Sequence, residues 1–151
     1  MDEGTLGELM RSLLARRGED VQRITREIGG RQALAATAAM FTIAVEREFG
    51  EGATPAEVSE FVSDACARYP KAHRVNRTVA EALVRSALGE EGVLDGLDLT
   101  EIGTVEAFLA AAIVDAKQYS PEEMDGFIAQ AEAFAREGLA YLQASEGEAR
   151  G

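Results

Sequence analysis

His73 is the only histidine of the chain and Cys66 the only cysteine, and together they bound the chemistry that its side chains offer. A thiol–imidazole nucleophile needs the two groups within hydrogen-bond reach. Cys66 falls in the middle of an expected helix while His73 follows Pro70, so helix geometry does not bring them together. A single histidine excludes zinc sites built on two or more histidines and di-iron bundles that need a Glu-x-x-His motif on two helices. A single cysteine excludes an internal disulfide, and on an apolar helical face it serves as a small core hydrophobe. The acidic stretch Asp95-Gly96-Leu97-Asp98-Leu99-Thr100-Glu101 resembles a calcium loop only faintly. Leu97 and Leu99 occupy slots where such a loop needs oxygen ligands. Gly29-Gly30 opens a helix without the lysine and hydroxyl of a phosphate-binding loop. The residue types therefore lead us to expect no catalytic constellation, no metal and no cofactor.

Two groups of residues could form a binding surface. Arg68, Lys71, His73, Arg74 and Arg77 flank a turn between two helices, with Arg85 a little further on, and run against the overall charge of the chain. A helix–turn–helix reader of DNA has this general appearance. However, the connector from Pro70 to Asn76 is longer than the usual three or four residues. The helix that would enter the groove, Val79-Ala80-Glu81-Ala82-Leu83-Val84, is too apolar and acidic to read bases. Met40, Phe41, Phe61, Phe108 and Phe127 form the second group. They would line a pocket for a small apolar ligand between helices, or simply build the core.

The elements that must position these residues are all helical. Leu6, Leu9, Met10, Leu13 and Leu14 recur at helical spacing behind a Thr5/Glu8 capping box, and Gly18 ends that segment. Val21, Ile24 and Ile28 share one face of a short second helix, which Gly29-Gly30 breaks. The segment from Gln32 to Phe49 is apolar almost all round, so it belongs at the centre of a bundle or against a second subunit. Further helices are expected from Pro55 to Tyr69, from Thr78 (capped by Thr78 with Glu81, or by Asn76) to Leu88, and from Thr104 to Gln118. The last and longest runs from Pro121 to Ala144, its buried stripe being Met124, Phe127, Ile128, Ala131, Phe134, Leu139 and Leu142. Residues 145–151 are expected to fray. No alternation of apolar and polar residues marks a strand.

One phrase occurs twice. Thr54-Pro55-Ala56-Glu57-Val58, followed by Phe61, Val62 and Ala65, returns 66 positions later as Ser120-Pro121-Glu122-Glu123-Met124, followed by Phe127, Ile128 and Ala131. In each copy a hydroxyl residue caps, proline takes the first helical position, and glutamate completes a capping box. Upstream, Ile43, Arg47 and Phe49 correspond to Ile113, Lys117 and Tyr119, with Gly50 to Ala53 inserted in the first copy. Two related helical hairpins, or convergence on common helix grammar, both account for the match.

Length and composition complete the expectation. The chain has 151 residues, no tryptophan, six phenylalanines and three tyrosines, so its core must be mostly aliphatic. A chain of this size buries roughly 70% of its unfolded surface and needs no metal or disulfide to fold. We expect an all-α bundle of six or seven helices, forming a single domain over residues 1–144. Residues 1–85 carry a net charge of −1 and residues 86–151 carry −11. That field repels phosphate and makes direct nucleic-acid binding unfavourable. The longest uncharged run, Gln32 to Val45, is too short to span a bilayer. The acidic start Met1-Asp2-Glu3-Gly4 is unlike a signal peptide, so a cytoplasmic protein is expected, with a composition typical of a high-GC bacterial genome. The functional expectation is a non-enzymatic interaction protein that forms a homodimer. Alternatives are a small-molecule-binding or regulatory domain, and an inhibitor or immunity-like protein whose acidic half meets a basic partner.

Overall fold

The computed structural model of the chain describes residues 4–50, 52–69 and 75–150. Among them the only regular elements are seven helices: α1 (Gly4–Leu14), α2 (Gly18–Ile28), α3 (Gly30–Phe49), α4 (Pro55–Arg68), α5 (Arg77–Ala87), α6 (Leu99–Lys117) and α7 (Pro121–Arg150). The all-α expectation is met. No helix among the described residues is long and apolar enough to cross a membrane.

The helices fall into two compact units. One comprises residues 1–43 and 119–151, the other residues 44–118, so that α3 contributes to both. In the first unit α1 packs on α2 and α7. Leu6, Leu9, Met10 and Leu14 of α1 are buried, as are Ile24 and Ile28 of α2 and Phe127, Ile128, Ala131 and Ala135 of α7. Helices α1 and α7 run antiparallel, for Arg11 pairs with Asp125 at 2.6 Å while Gly7 lies against Ile128 and Glu132. The helices come close at Gly7: a Cβ there would stand 2.5 Å from Glu132 Oε1, the far end of a flexible side chain, and 3.3 Å from Ile128 Cγ2. The end of α1 was expected at Gly18, but the left-handed turn is made by Arg16 (φ 57°). The amide of Arg17 donates to the Ser12 carbonyl at 2.9 Å and that of Arg16 to Leu13 at 3.2 Å, which satisfies two carbonyls the helix end would otherwise strand.

In the second unit α6 packs on α4 and α5, which also pack on each other. Ala110, Ala111, Ala112, Ile113 and Val114 are all buried, and small alanines let neighbouring helices approach closely. Helix α6 is thus the most buried helix of its unit. It also begins earlier than expected, at Leu99, because the Asp98 carboxylate accepts from the Thr100 amide at 2.9 Å. Helix α5 starts from the other of its two candidate caps. Asn76 Oδ1 accepts from the amides of Thr78 (3.0 Å) and Val79 (3.2 Å), placing Thr78 inside the helix. At its far end Gly89 adopts φ 105° and the Glu90 amide reaches back to the Arg85 carbonyl at 3.0 Å. The Arg85 guanidinium and the Glu90 carboxylate, joined through Nε at 2.6 Å and through Nη2, clasp the same turn.

Both Thr/Ser-Pro starts form the predicted capping boxes. Both also receive an aromatic ring from just upstream. Phe49 meets Phe61 edge-on at 5.2 Å, and Tyr119 meets Phe127 at 5.9 Å. These are the corresponding residues of the two sequence copies, so the likeness between the hairpins extends from the caps into their packing.

The last helix departs from expectation. It continues to Arg150 rather than ending at Ala144. Up to Ser145, no residue beyond Ala135 is fully buried on it: Phe134 and Leu142, expected in the buried stripe, are 41% and 45% exposed, and Leu139 is half-buried.

Candidate functional site

The basic turn is only partly placed. Arg68 ends α4, its guanidinium 6.0 Å from the centre of the Tyr69 ring. Arg77 is the exposed first residue of α5. Lys71, His73 and Arg74 lie outside the described residues. Of the five residues named for an apolar pocket, Met40, Phe41 and Phe127 are buried in the first unit. Phe61 and Phe108 are half-buried in the second. Each of these two is held by another ring, Phe61 by Phe49 and Phe108 by Tyr69 at 5.7 Å.

A groove of about 500 Å³ lies in the second unit between α4 and α6, lined by Glu48, Phe61, Asp64, Ala67, Arg68, Ile113 and Ala116. Phe61, Asp64 and Arg68 recur at helical spacing on one face of α4. Ile113 and Ala116 face them one turn apart on α6. The Tyr69 hydroxyl donates to Asp115 at 2.9 Å and ties the end of α4 to α6. Lys117 Nζ lies 3.0 Å from the Glu48 carboxylate and ties α3 to α6. The groove walls are therefore cross-braced at one end. Phe61 is the one member of the expected pocket that lines it.

Glu106 went unnoticed in the sequence. It is 8% exposed on α6, and burial pushes its carboxyl up to about 7. A signal was present, since Glu106 precedes Leu109 by three residues and Ile113 by seven and so sits within the apolar face. A carboxyl near neutrality is suited to proton transfer, but the groove residues do not include it. Among the described residues no cluster of three or more His, Cys, Asp or Glu side chains could hold a metal ion.

Among the described residues, three of the five exposed large hydrophobic side chains lie on α7. Tyr141 is 73% exposed, with Phe134 and Leu142 beside it. Positions 134, 138, 141, 142 and 145 fall within one stripe roughly 100° wide on a helix. From 137 to 145 the only charged residue is Glu137.

No protein-family model, curated protein or solved structure matches the chain.

Proposed function

We propose that the protein acts by association, pairing with a second copy of itself through the stretch 134–145 of α7. The observation that carries this reading is the exposed stripe of Phe134, Tyr141 and Leu142. Large apolar residues grouped on one face of a helix mark a surface that gains by being covered. The lack of charge around the stripe favours a second copy as the occupant. In a chain of net charge −12, the segment 137–145 carries one charge, so two copies meeting there avoid most of their mutual repulsion. Gly138, Ala140 and Ala144 add small side chains that permit close helix–helix approach. The sequence suggested α3 as the shared element. Its Ala36, Ala39, Met40, Phe41, Ile43, Ala44 and Val45 are already buried within one chain, and only Leu34 among its large apolar residues is exposed, at 46%.

Sedimentation velocity tests the proposal. The native chain should sediment as a dimer at micromolar concentration, and the Tyr141→Glu/Leu142→Glu variant as a monomer with unchanged helical circular dichroism. A native chain that stays monomeric up to about 100 μM, where an association of even −5.5 kcal/mol would be visible, removes the reading. So does a variant that still dimerises.

A basic partner is the second reading, supported by the net charge of −11 over residues 86–151. Such binding should weaken steeply with added salt.

A further inference from the structure

The groove between α4 and α6 carries a charge pattern of its own. Its apolar lining is made by half-buried Phe61 and exposed Ala67 and Ala116, with Ile113 almost wholly covered behind them. Asp64 and Arg68 stand one turn apart on its α4 wall. An Asp–Arg pair at this spacing commonly closes into an ion pair, yet here no ion pair joins either side chain to another among the described residues. The third charge, Glu48, is engaged by Lys117. Edge-on packing against Phe49 holds the Phe61 ring, and the neighbouring Tyr69 ring lies under the Arg68 guanidinium. One carboxylate and one guanidinium thus border an apolar lining in a groove whose volume lies within the range of small-molecule sites.

We propose that this groove binds a small zwitterion with an apolar body, of the size and chemistry of an α-amino acid such as leucine or phenylalanine. The ligand ammonium donates to Asp64, its carboxylate accepts from Arg68, and its side chain lies over Phe61 and Ala116. The selection follows from charge. With Glu48 engaged by Lys117, a simple anion would pair with Arg68 but meet Asp64, and a simple cation would pair with Asp64 but meet Arg68. A wholly apolar molecule would strip water from two charges and return nothing to them. A zwitterion satisfies both at once, and its apolar body covers the lining.

Amide NMR titration of the full chain with L-leucine and L-phenylalanine tests this. Saturable shifts are expected at residues 61–68 of α4 and 113–116 of α6. Two half-ligands, 4-methylpentanoate without the ammonium and 3-methylbutylamine without the carboxylate, should each bind at least about tenfold more weakly than leucine. Asp64→Asn and Arg68→Gln, both at exposed positions, should each weaken leucine by about tenfold or more with unchanged circular dichroism. The proposal is overturned by any one of three results. These are no saturable shift up to about 20 mM of either amino acid, half-ligands that bind as well as leucine, or shifts that fall outside the groove or persist unchanged in both variants.

Discussion

Ser120 and Glu123 exchange hydrogen bonds across the first turn of α7. The Glu123 amide donates to Ser120 Oγ at 3.1 Å and the Ser120 amide donates to Glu123 Oε1 at 3.0 Å. Thr54 and Glu57 make the same exchange at the start of α4, at 3.2 and 2.9 Å. In both, the bond from the cap residue's backbone amide, followed by that from its side chain, holds the glutamate carboxyl below its ordinary range. Both helices therefore start with two otherwise stranded amides satisfied.

Removing either cap hydroxyl should cost about 1 kcal/mol, so Thr54→Ala and Ser120→Ala each lower the urea midpoint measurably. The glutamates add a pH dependence of known sign. A carboxyl whose folded pKa is depressed contributes stability above its unfolded pKa, and that contribution disappears as pH falls through the folded value. The gap between native and Glu57→Gln protein should therefore narrow as pH falls below about 4.5. Urea titrations at pH 7 and pH 3 check this, and a gap independent of pH would contradict it.

Glu106 has the opposite sign. Its folded pKa, raised by burial from 4.5 to about 7, means that the folded chain keeps a proton which the unfolded chain releases between those values. Stability falls across that window as pH rises, and the penalty is complete above it. A shift of this size corresponds to about 3 kcal/mol. Glu106→Gln should be more stable than the native chain by that order at pH 8 and nearly equal to it at pH 4. Parallel stability–pH curves for the two proteins would refute the assignment.

Helices α1 and α7 come close at Gly7. Alanine there meets the Glu132 carboxylate, which is paired with Arg136 at 3.0 Å, and the Ile128 methyl. The carboxylate is the far end of a flexible side chain and can swing aside, and alanine gains about 1 kcal/mol of helix propensity. Gly7→Ala should therefore change stability by less than about 1 kcal/mol. Gly7→Leu cannot be accommodated by one side chain and should cost at least about 2 kcal/mol. Thermal melts of the two variants separate these outcomes, and a leucine variant as stable as the native chain would show that α1 and α7 are not tightly apposed.

What the sequence determined by itself was the local grammar. The capping boxes at Thr54 and Ser120, the break at Gly29 and the inward stripes Val58–Val62–Ala65 and Phe127–Ile128–Ala131 depend on residues within one or two turns of one another. Bonds and side-chain directions over that range follow from backbone geometry alone. Tertiary structure decided how far each stripe is covered. Phe134 and Leu142 share the periodicity of Phe127 and Ile128, yet up to Ser145 no residue of α7 beyond Ala135 is fully buried. Periodicity states which face is apolar and is silent on where the neighbouring helix stops. The same limit applies to Asp64 and Arg68. Their spacing on α4 was legible, but the lining supplied by Ile113 and Ala116 comes from a helix almost fifty residues away, and only packing brings the two together.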